Sequence, residues 1–381
     1  MTRTALVVGG AGVFGAHLVR GILRDTALDV VVAGRSLQRA QAFVASLATP
    51  RATAARLNAT AASAADVGAH SPFVVVDAAG PFRPGADTLP RAAIGAGAHY
   101  LDLADGRAFV AGFAAGLDAP ARAAGVVALA GASSTPALSC AVLDHLVAGW
   151  SQVDRVETVI LPGNRAPRGL AVMQSILSWA GQPVRVLSGG QWVERPGWGL
   201  TARADLPGLG RRWTALADTP DLDIVPARYG VTDAAVFRAG LELPVLHLGL
   251  LAATLPVRAA RACGMAVSLV PLAPALLRLA NLVRPFGTDR GGMMVDAGGL
   301  DGAGRPALAR WTLLAEAGDG PVIPTLPALA LLRRLDAGAS PAPGARPCVG
   351  VLTLAEIAAG FAPYRISATV ERSSEPMPAS G

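Results

Sequence analysis

The sequence predicts an α/β chain, an N-terminal doubly wound parallel sheet with an inserted α+β domain. Three observations predict it. Short apolar runs alternate with helix-period segments through the first 150 residues. A glycine cluster joins the first run directly to the first helical segment. Beyond Trp150 the texture changes to strand-like runs, a hairpin and a long apolar helical stretch.

Ala5–Val8 reads as the first strand and Val13–Arg24 as the first helix. Leu28–Ala33 is the second strand and Leu37–Ala48 the second helix. Ala52–Leu57 is a weak strand and Phe73–Asp77 a strong one, followed by a helix at Asp87–Ala96. His99–Leu103 is a strand, Phe109–Ala124 a helix and Val126–Ala130 a strand. Thr135–Ala148 reads as a helix with Ser134 as its N-cap and Pro136 in its first turn. The expected strands of the second domain are Val153–Leu161, Val184–Leu187, Gln191–Glu194, Ala234–Glu242, Gly292–Ala297 and Ala309–Leu314. Residues 300–304 turn the last two into a hairpin, and Leu170–Ala180 and 244–283 are helical. A helix from Pro327 to Leu335 and a loop at Ser340–Pro347 complete the reading. The expected domains are 1–150, 151–318, a segment 319–372 returning to the first domain, and a frayed tail at 373–381.

Gly10, Gly12 and Gly15 fit the G-x-G-x-x-G spacing of a dinucleotide fingerprint. In that reading Gly10 allows the tight turn, Gly12 leaves room for a pyrophosphate, and Gly15 lets the helix sit close on the strand. The loop Gly10-Ala11-Gly12-Val13-Phe14-Gly15 then offers helix N–H groups to the anion. About 20 residues on, NAD enzymes place an Asp or Glu for the ribose 2′-hydroxyl. This chain has Arg35 and Ser36, with Arg39 one turn later. Guanidinium groups suit a 2′-phosphate, so the expected cofactor is NADP(H). The competing reading is a plain tight turn followed by a solvated arginine.

The 381 residues suffice for two domains. The net charge is +6, but the basic residues are dispersed and no basic run carries interleaved aromatics, so no nucleic-acid partner is expected. The sequence contains no Lys, so a Tyr-x-x-x-Lys pair, a Lys base and a Schiff base are excluded. Three well-separated cysteines, Cys140, Cys263 and Cys348, imply neither a disulfide framework nor a metal site and fit a reducing, cytoplasmic setting. The N-terminus reads as strand rather than as a signal peptide. In the apolar stretch 244–283, arginines and prolines interrupt any clean membrane span. The favoured reading is packed helices covering a sheet or a homodimer interface. A peripheral membrane contact or a greasy tunnel is the alternative.

Several segments together resemble the saccharopine dehydrogenase family of NAD(P)-binding proteins. They are the glycine loop, Ala33–Ser36, Val76–Phe82, Gly97–Leu103, the Gly131–Pro136 turn, Gly318–Pro324 and Gly350–Thr353. The resemblance spans essentially the whole chain and implies contacts residue by residue. Ala79, Gly80, Pro81 and Phe82 would border the pyrophosphate and nicotinamide ribose. Tyr100 and Asp102 would end the fifth strand near the nicotinamide. Asn58 stands where such proteins often carry an Asp near the adenine. The chain departs from the lysine-pathway enzymes: it lacks a site Lys, and Ser133-Ser134-Thr135 replaces an Asp-Pro-Gly turn.

Reduction of a carbonyl or enoyl group needs a proton donor, whereas an iminium carbon is already activated. Alternation puts Tyr100 and Asp102 on one strand face, and these are the expected catalytic residues, Asp102 first. A capped core tyrosine and a carboxylate bonded to loop N–H groups are the competing readings. Ser133, Ser134 and Thr135 are expected to bind an anionic group of a small-molecule substrate, although helix capping alone accounts for at least one of them; Arg165 and Arg168 either reach the cleft or are solvated. His17, His145 and His247 read as structural. The resemblance implies an NADP(H)-dependent oxidoreductase acting on a C=N or C=O carbon. An enoyl reductase for a hydrophobic acyl substrate, or a non-catalytic NADPH-binding membrane-associated protein, is the alternative.

Overall fold

The computed structural model describes residues 3–374, which fall into two compact units. Unit 1 comprises the chain up to Leu138 together with Pro321–Gly360, and unit 2 comprises Ser139–Gly320 and the chain from Phe361 onward. Most of the expected tail, 375–381, lies outside the described residues.

Unit 1 opens with β1 (Thr4–Val8), α1 (Val13–Asp25), β2 (Asp29–Gly34), α2 (Leu37–Leu47), β3 (Ala52–Arg56) and α3 (Ala64–Gly68). It continues with β4 (Val74–Asp77), α4 (Thr88–Gly95), β5 (His99–Asp102), α5 (Arg107–Ala123) and β6 (Val127–Ala130). β4 and β6 are buried at every position, because helices cover both sheet faces and leave no polar side to alternate with. On α1 the buried residues Gly15, Leu18, Val19 and Ile22 repeat at helical spacing and make its inner stripe.

Unit 2 begins with α6 (Ser139–Leu146) and β7 (Gln152–Leu161), then α7 (Leu170–Trp179), β8 (Pro183–Ser188), β9 (Gln191–Pro196), β10 (Ala202–Leu206) and β11 (Gly210–Leu216). α8 (Asp221–Tyr229), β12 (Ala234–Ala239), α9 (Pro244–Ala262), α10 (Ala273–Leu282), β13 (Gly291–Leu300) and β14 (Pro306–Ala315) follow. The chain returns to unit 1 with α11 (Leu326–Asp336), β15 (Gly344–Pro347) and α12 (Leu354–Ala358), and ends in unit 2 with β16 (Ile366–Ser373).

The sheet of unit 1 has seven parallel strands in the order β15-β6-β5-β4-β1-β2-β3. The chain runs outward from β1 through β2 to β3, then restarts at β4 on the other side of β1. That reversal makes the switch point beyond the carboxyl ends of β1 and β4, where open α/β sheets take their ligands.

The sheet of unit 2 is mixed, in the order β10-β11-β12-β7-β13-β14-β16, with β8 and β9 attached beside β12. The hairpin β13–β14 turns on Asp301, whose Oδ1 accepts the N–H groups of Ala303 and Arg305 at 2.9 Å each. Helices α7, α9 and α10 share one apolar cluster around Trp198, Ala215 and Val257.

Three expectations need correction. Ser340–Pro347 is not all loop, because Gly344–Pro347 forms β15 and pairs in parallel with β6. Its short Gly- and Pro-bounded sequence has no strand pattern; backbone pairing and the Asp118 Oδ1 bond to the Ala345 N–H (2.9 Å) make it a strand. The helix placed at Thr135–Ala148 starts only at Ser139. Residues Ser134–Leu138 form a wide irregular turn with Thr135 extended, so Ser134 is not an N-cap. Ala234–Glu242 stops as a strand at Ala239, and Glu242 accepts N–H bonds from Asn164 (2.6 Å) and Thr288 (2.9 Å).

Candidate nucleotide-binding site

The site is built at the switch point of unit 1 from strand ends and the turns that follow them. Gly9, rather than Gly10, takes the left-handed conformation of the first turn, at φ +79°. A Cβ there would also lie 2.8 Å from the Ala78 carbonyl, so both handedness and space demand glycine. At Gly15 a Cβ would stand 2.2 Å from the Gly9 carbonyl oxygen, which is how closely α1 approaches the turn. At Gly12 the nearest atom to such a Cβ is the Gly9 oxygen at 3.0 Å. Gly12 precedes α1 without a side-chain cap, and the first turn of α1 carries no acidic residue. The leading N–H groups of Val13, Phe14 and Gly15 have no partner within the helix by geometry, which suits them to an anion. These residues therefore fit the pyrophosphate of a dinucleotide.

This closeness gives a first testable outcome. Gly15→Ala should push α1 off the turn and weaken NADPH binding at least about tenfold, an energetic cost of ~1.4 kcal/mol or more. Nucleotide titration reads it, and wild-type affinity in the variant would contradict the tight contact.

Beyond β2, Arg35, Ser36 and Arg39 are all exposed. Ser36 caps α2, its Oγ accepting the Arg39 N–H at 3.3 Å. Among the described residues neither Arg35 nor Arg39 engages its guanidinium in an ion pair or hydrogen bond. Two unneutralised cations thus flank the end of β2. Asn58 lies exposed just past β3, its Oδ1 accepting from the Thr60 hydroxyl at 3.1 Å. After β4, the half-buried loop Ala79-Gly80-Pro81-Phe82 is held by two bonds. The Ala78 N–H donates to Val8 O and the Ala79 N–H to Asp77 Oδ1, each at 2.8 Å. Phe82 packs against Phe109 of α5, ring centroids 5.5 Å apart.

Beneath this loop lies a cluster of buried titratable groups. Asp77 ends β4 and stands in register with Asp102, which ends β5. Asp102 is fully buried, and its Oδ1 accepts from Gly131 N–H (2.7 Å) and Ala104 N–H (2.9 Å). Its Oδ2 and the Tyr100 hydroxyl are buried without a hydrogen-bond partner of regular geometry. The Tyr100 ring stacks on Phe113 at 5.9 Å. Burial raises Asp102 to about 7 against the pull of the two N–H groups, with the neighbouring Asp77 adding to the rise. Burial likewise raises Asp77 to about 6 and lifts Tyr100 far above its ordinary range. Cys348, just past β15, is buried and pushed up to about 12. The arrangement can therefore hold a proton on a carboxyl at neutral pH.

Asp77 and Gly9 are the members that residue-type reasoning passed over. The signal for Asp77 was a carboxylate closing an all-valine run, and the signal for Gly9 was the doubled glycine. Ser133, Ser134 and Thr135 are buried in the turn that follows β6, and Gly131 of that turn is tied to Asp102. Arg165 belongs to unit 2, where its guanidinium donates to Pro285 O at 3.2 Å and its carbonyl accepts from Arg284 Nε at 2.7 Å. Arg168 donates to Asn164 Oδ1 at 2.9 Å within the same unit.

A parallel sheet with this switch point, glycine turn and uncapped helix defines a dinucleotide-binding unit of doubly wound type. Residues 5–129 match the family described as Saccharopine dehydrogenase NADP binding domain. Among solved structures, the chain is similar to saccharopine dehydrogenase (L-Glu forming) from Saccharomyces cerevisiae. The identity is 11%, covering 97% of this chain and 100% of that one, with a TM-score of 0.67. It is also similar to GenD2 from gentamicin A biosynthesis in complex with NAD, at 13% identity over 78% of this chain and 70% of that one, TM-score 0.37. No curated protein matches the chain. Residues 5–129 therefore carry an NADP-binding domain of the saccharopine dehydrogenase type, the likeness to the yeast enzyme is one of fold, and the broad class supported is NAD(P)-dependent oxidoreductase.

Proposed function

We propose that the chain transfers hydride between NADP(H) and a C=N or C=O carbon of a small metabolite. The observation that carries the cofactor choice is the pair of unneutralised guanidinium groups, Arg35 and Arg39, at the end of β2. They take the 2′-phosphate, with Ser36 holding α2 in place beside them. The turn from Gly10 to Gly15 holds the pyrophosphate, Asn58 lies toward the adenine, and Ala79–Phe82 border the nicotinamide side. The bound nicotinamide supplies or accepts the hydride.

The protein's own part is to orient the substrate, exclude water and manage one proton. For a C=O substrate, the carbonyl oxygen must gain a proton as its carbon gains hydride. Asp102 carries that proton on Oδ2 near neutral pH, with Tyr100 beside it, and Ser133, Ser134 and Thr135, in the turn after the neighbouring strand β6, shape the substrate side. A C=N substrate that is already an iminium needs no such donor. An enoyl substrate in a tunnel is less favoured, because residues 244–283 turn eight large apolar side chains outward.

Titration of the purified chain with NADPH and NADH tests the cofactor, and a screen of imines and ketones with NADPH tests the chemistry. Tight NADPH binding with consumption on one of these classes is the expected result. Failure to bind either nucleotide would overturn the reading.

A further inference from the structure

Among the described residues, nine of the fourteen exposed large apolar side chains fall within residues 245–286. On α9, Val245, Leu248 and Leu255 repeat at helical spacing on the side opposite the buried His247, Thr254 and Val257. Leu279 and Leu282 of α10, with Phe286 just beyond it, form a second outward stripe, and Leu282 and Phe286 are 72% and 77% exposed. Both helices seat their inner residues in one cluster, so both outward stripes are surplus to the core. Isolated exposed apolar residues need no explanation, but a concentration of this kind marks a contact surface.

Charge identifies the occupant. From Leu243 to Thr288 there is no Asp or Glu, while Arg258, Arg261, Arg278 and Arg284 are all exposed. Among the described residues, Arg258 and Arg278 have no carboxylate partner. A second copy docking face to face through this surface would set these four arginines against the same four, with no acid between them. An anionic lipid surface answers both features, accepting the aliphatic stripes between headgroups and neutralising the arginines. No helix among the described residues is long and apolar enough to cross a membrane, so the contact is one of lying on the bilayer.

We propose that α9, α10 and the turn to Phe286 dock unit 2 on anionic membranes. The test is flotation of the full chain with vesicles of phosphatidylcholine alone or mixed with phosphatidylglycerol. The expected result is binding to the mixed vesicles only. Arg258→Gln with Arg278→Gln should weaken it about 30-fold, since each cation near the surface is worth roughly fivefold. Leu282→Glu with Phe286→Glu should abolish it while the melting midpoint and NADPH affinity stay unchanged. A fluorophore on Cys263, exposed at the end of α9 where Cys140 and Cys348 are buried, should shift its emission on binding. Equal binding to both vesicle types, no binding to either, or no shift at Cys263 would overturn the proposal. So would a stable dimer that binds no vesicles and that Leu282→Glu with Phe286→Glu splits.

Discussion

Replacing Arg35 and Arg39 with alanine is expected to cost NADPH about 100-fold in affinity while leaving NADH within about threefold. Each guanidinium offers a charge-assisted hydrogen bond to a 2′-phosphate, worth about 1.4 kcal/mol at an exposed site, the low end of the range for such bonds. Both side chains are exposed and unneutralised, so truncation leaves no buried charge behind. The cap on α2 survives, because Ser36 Oγ accepts the backbone N–H of residue 39 rather than its guanidinium. The fold should therefore be unaffected, and the loss should fall on the nucleotide that carries the extra phosphate. Exposure also makes the contact sensitive to salt: the preference of the wild type for NADPH should narrow as ionic strength rises. Paired titrations of wild type and variant with NADPH and NADH read both effects. An unchanged NADPH-to-NADH ratio would remove the 2′-phosphate from these arginines.

The central strands of unit 1 were legible because they are buried on both faces and so read as unbroken apolar runs. The elements that escaped share the opposite property. β16 is exposed along nearly its whole length, so its alternation of Ile366, Ala368 and Val370 covers no buried face; eight residue pairings with β14 define it. β10 and β11 are arginine-rich, and Arg203 lies over the Trp213 ring at 4.4 Å, a contact between strands that no local pattern announces. At the site, the fingerprint spacing located the turn but could not say which glycine bears the positive φ. That depends on how close the Ala78 carbonyl comes, and Ala78 lies nearly 70 residues away in the chain. The sequence likewise named Tyr100 and Asp102, but only strand register brings Asp77 beside them. Burial, rather than residue type, sets the protonation of this group.

That protonation leads to the second large effect. In the unfolded chain Asp77 and Asp102 titrate near 3.8, and folding raises them to about 6 and about 7. Between these limits the folded state holds protons that the unfolded state has released. Stability from this pair is therefore fully present at low pH and falls as pH rises toward 7, the reverse of a salt-bridged carboxylate. Asp102→Asn keeps an acceptor for the Gly131 and Ala104 N–H groups and has no charge to bury. The variant should exceed wild type in stability at pH 8.5, by on the order of a few kcal/mol; the advantage should shrink below pH 7 and vanish only as pH falls to about 4. All six tryptophans lie in unit 2, so hydrogen exchange of β4 and β5 amides, rather than tryptophan emission, reports the change. The same variant separates the substrate classes. If the Asp102 proton goes to a carbonyl oxygen, turnover of ketones should fall by roughly 10²–10⁴ with NADPH affinity intact, while turnover of a preformed iminium should hold. A variant that is no more stable than wild type at pH 8.5, yet reduces ketones at full rate, would leave Asp102 neither a costly buried charge nor a proton donor.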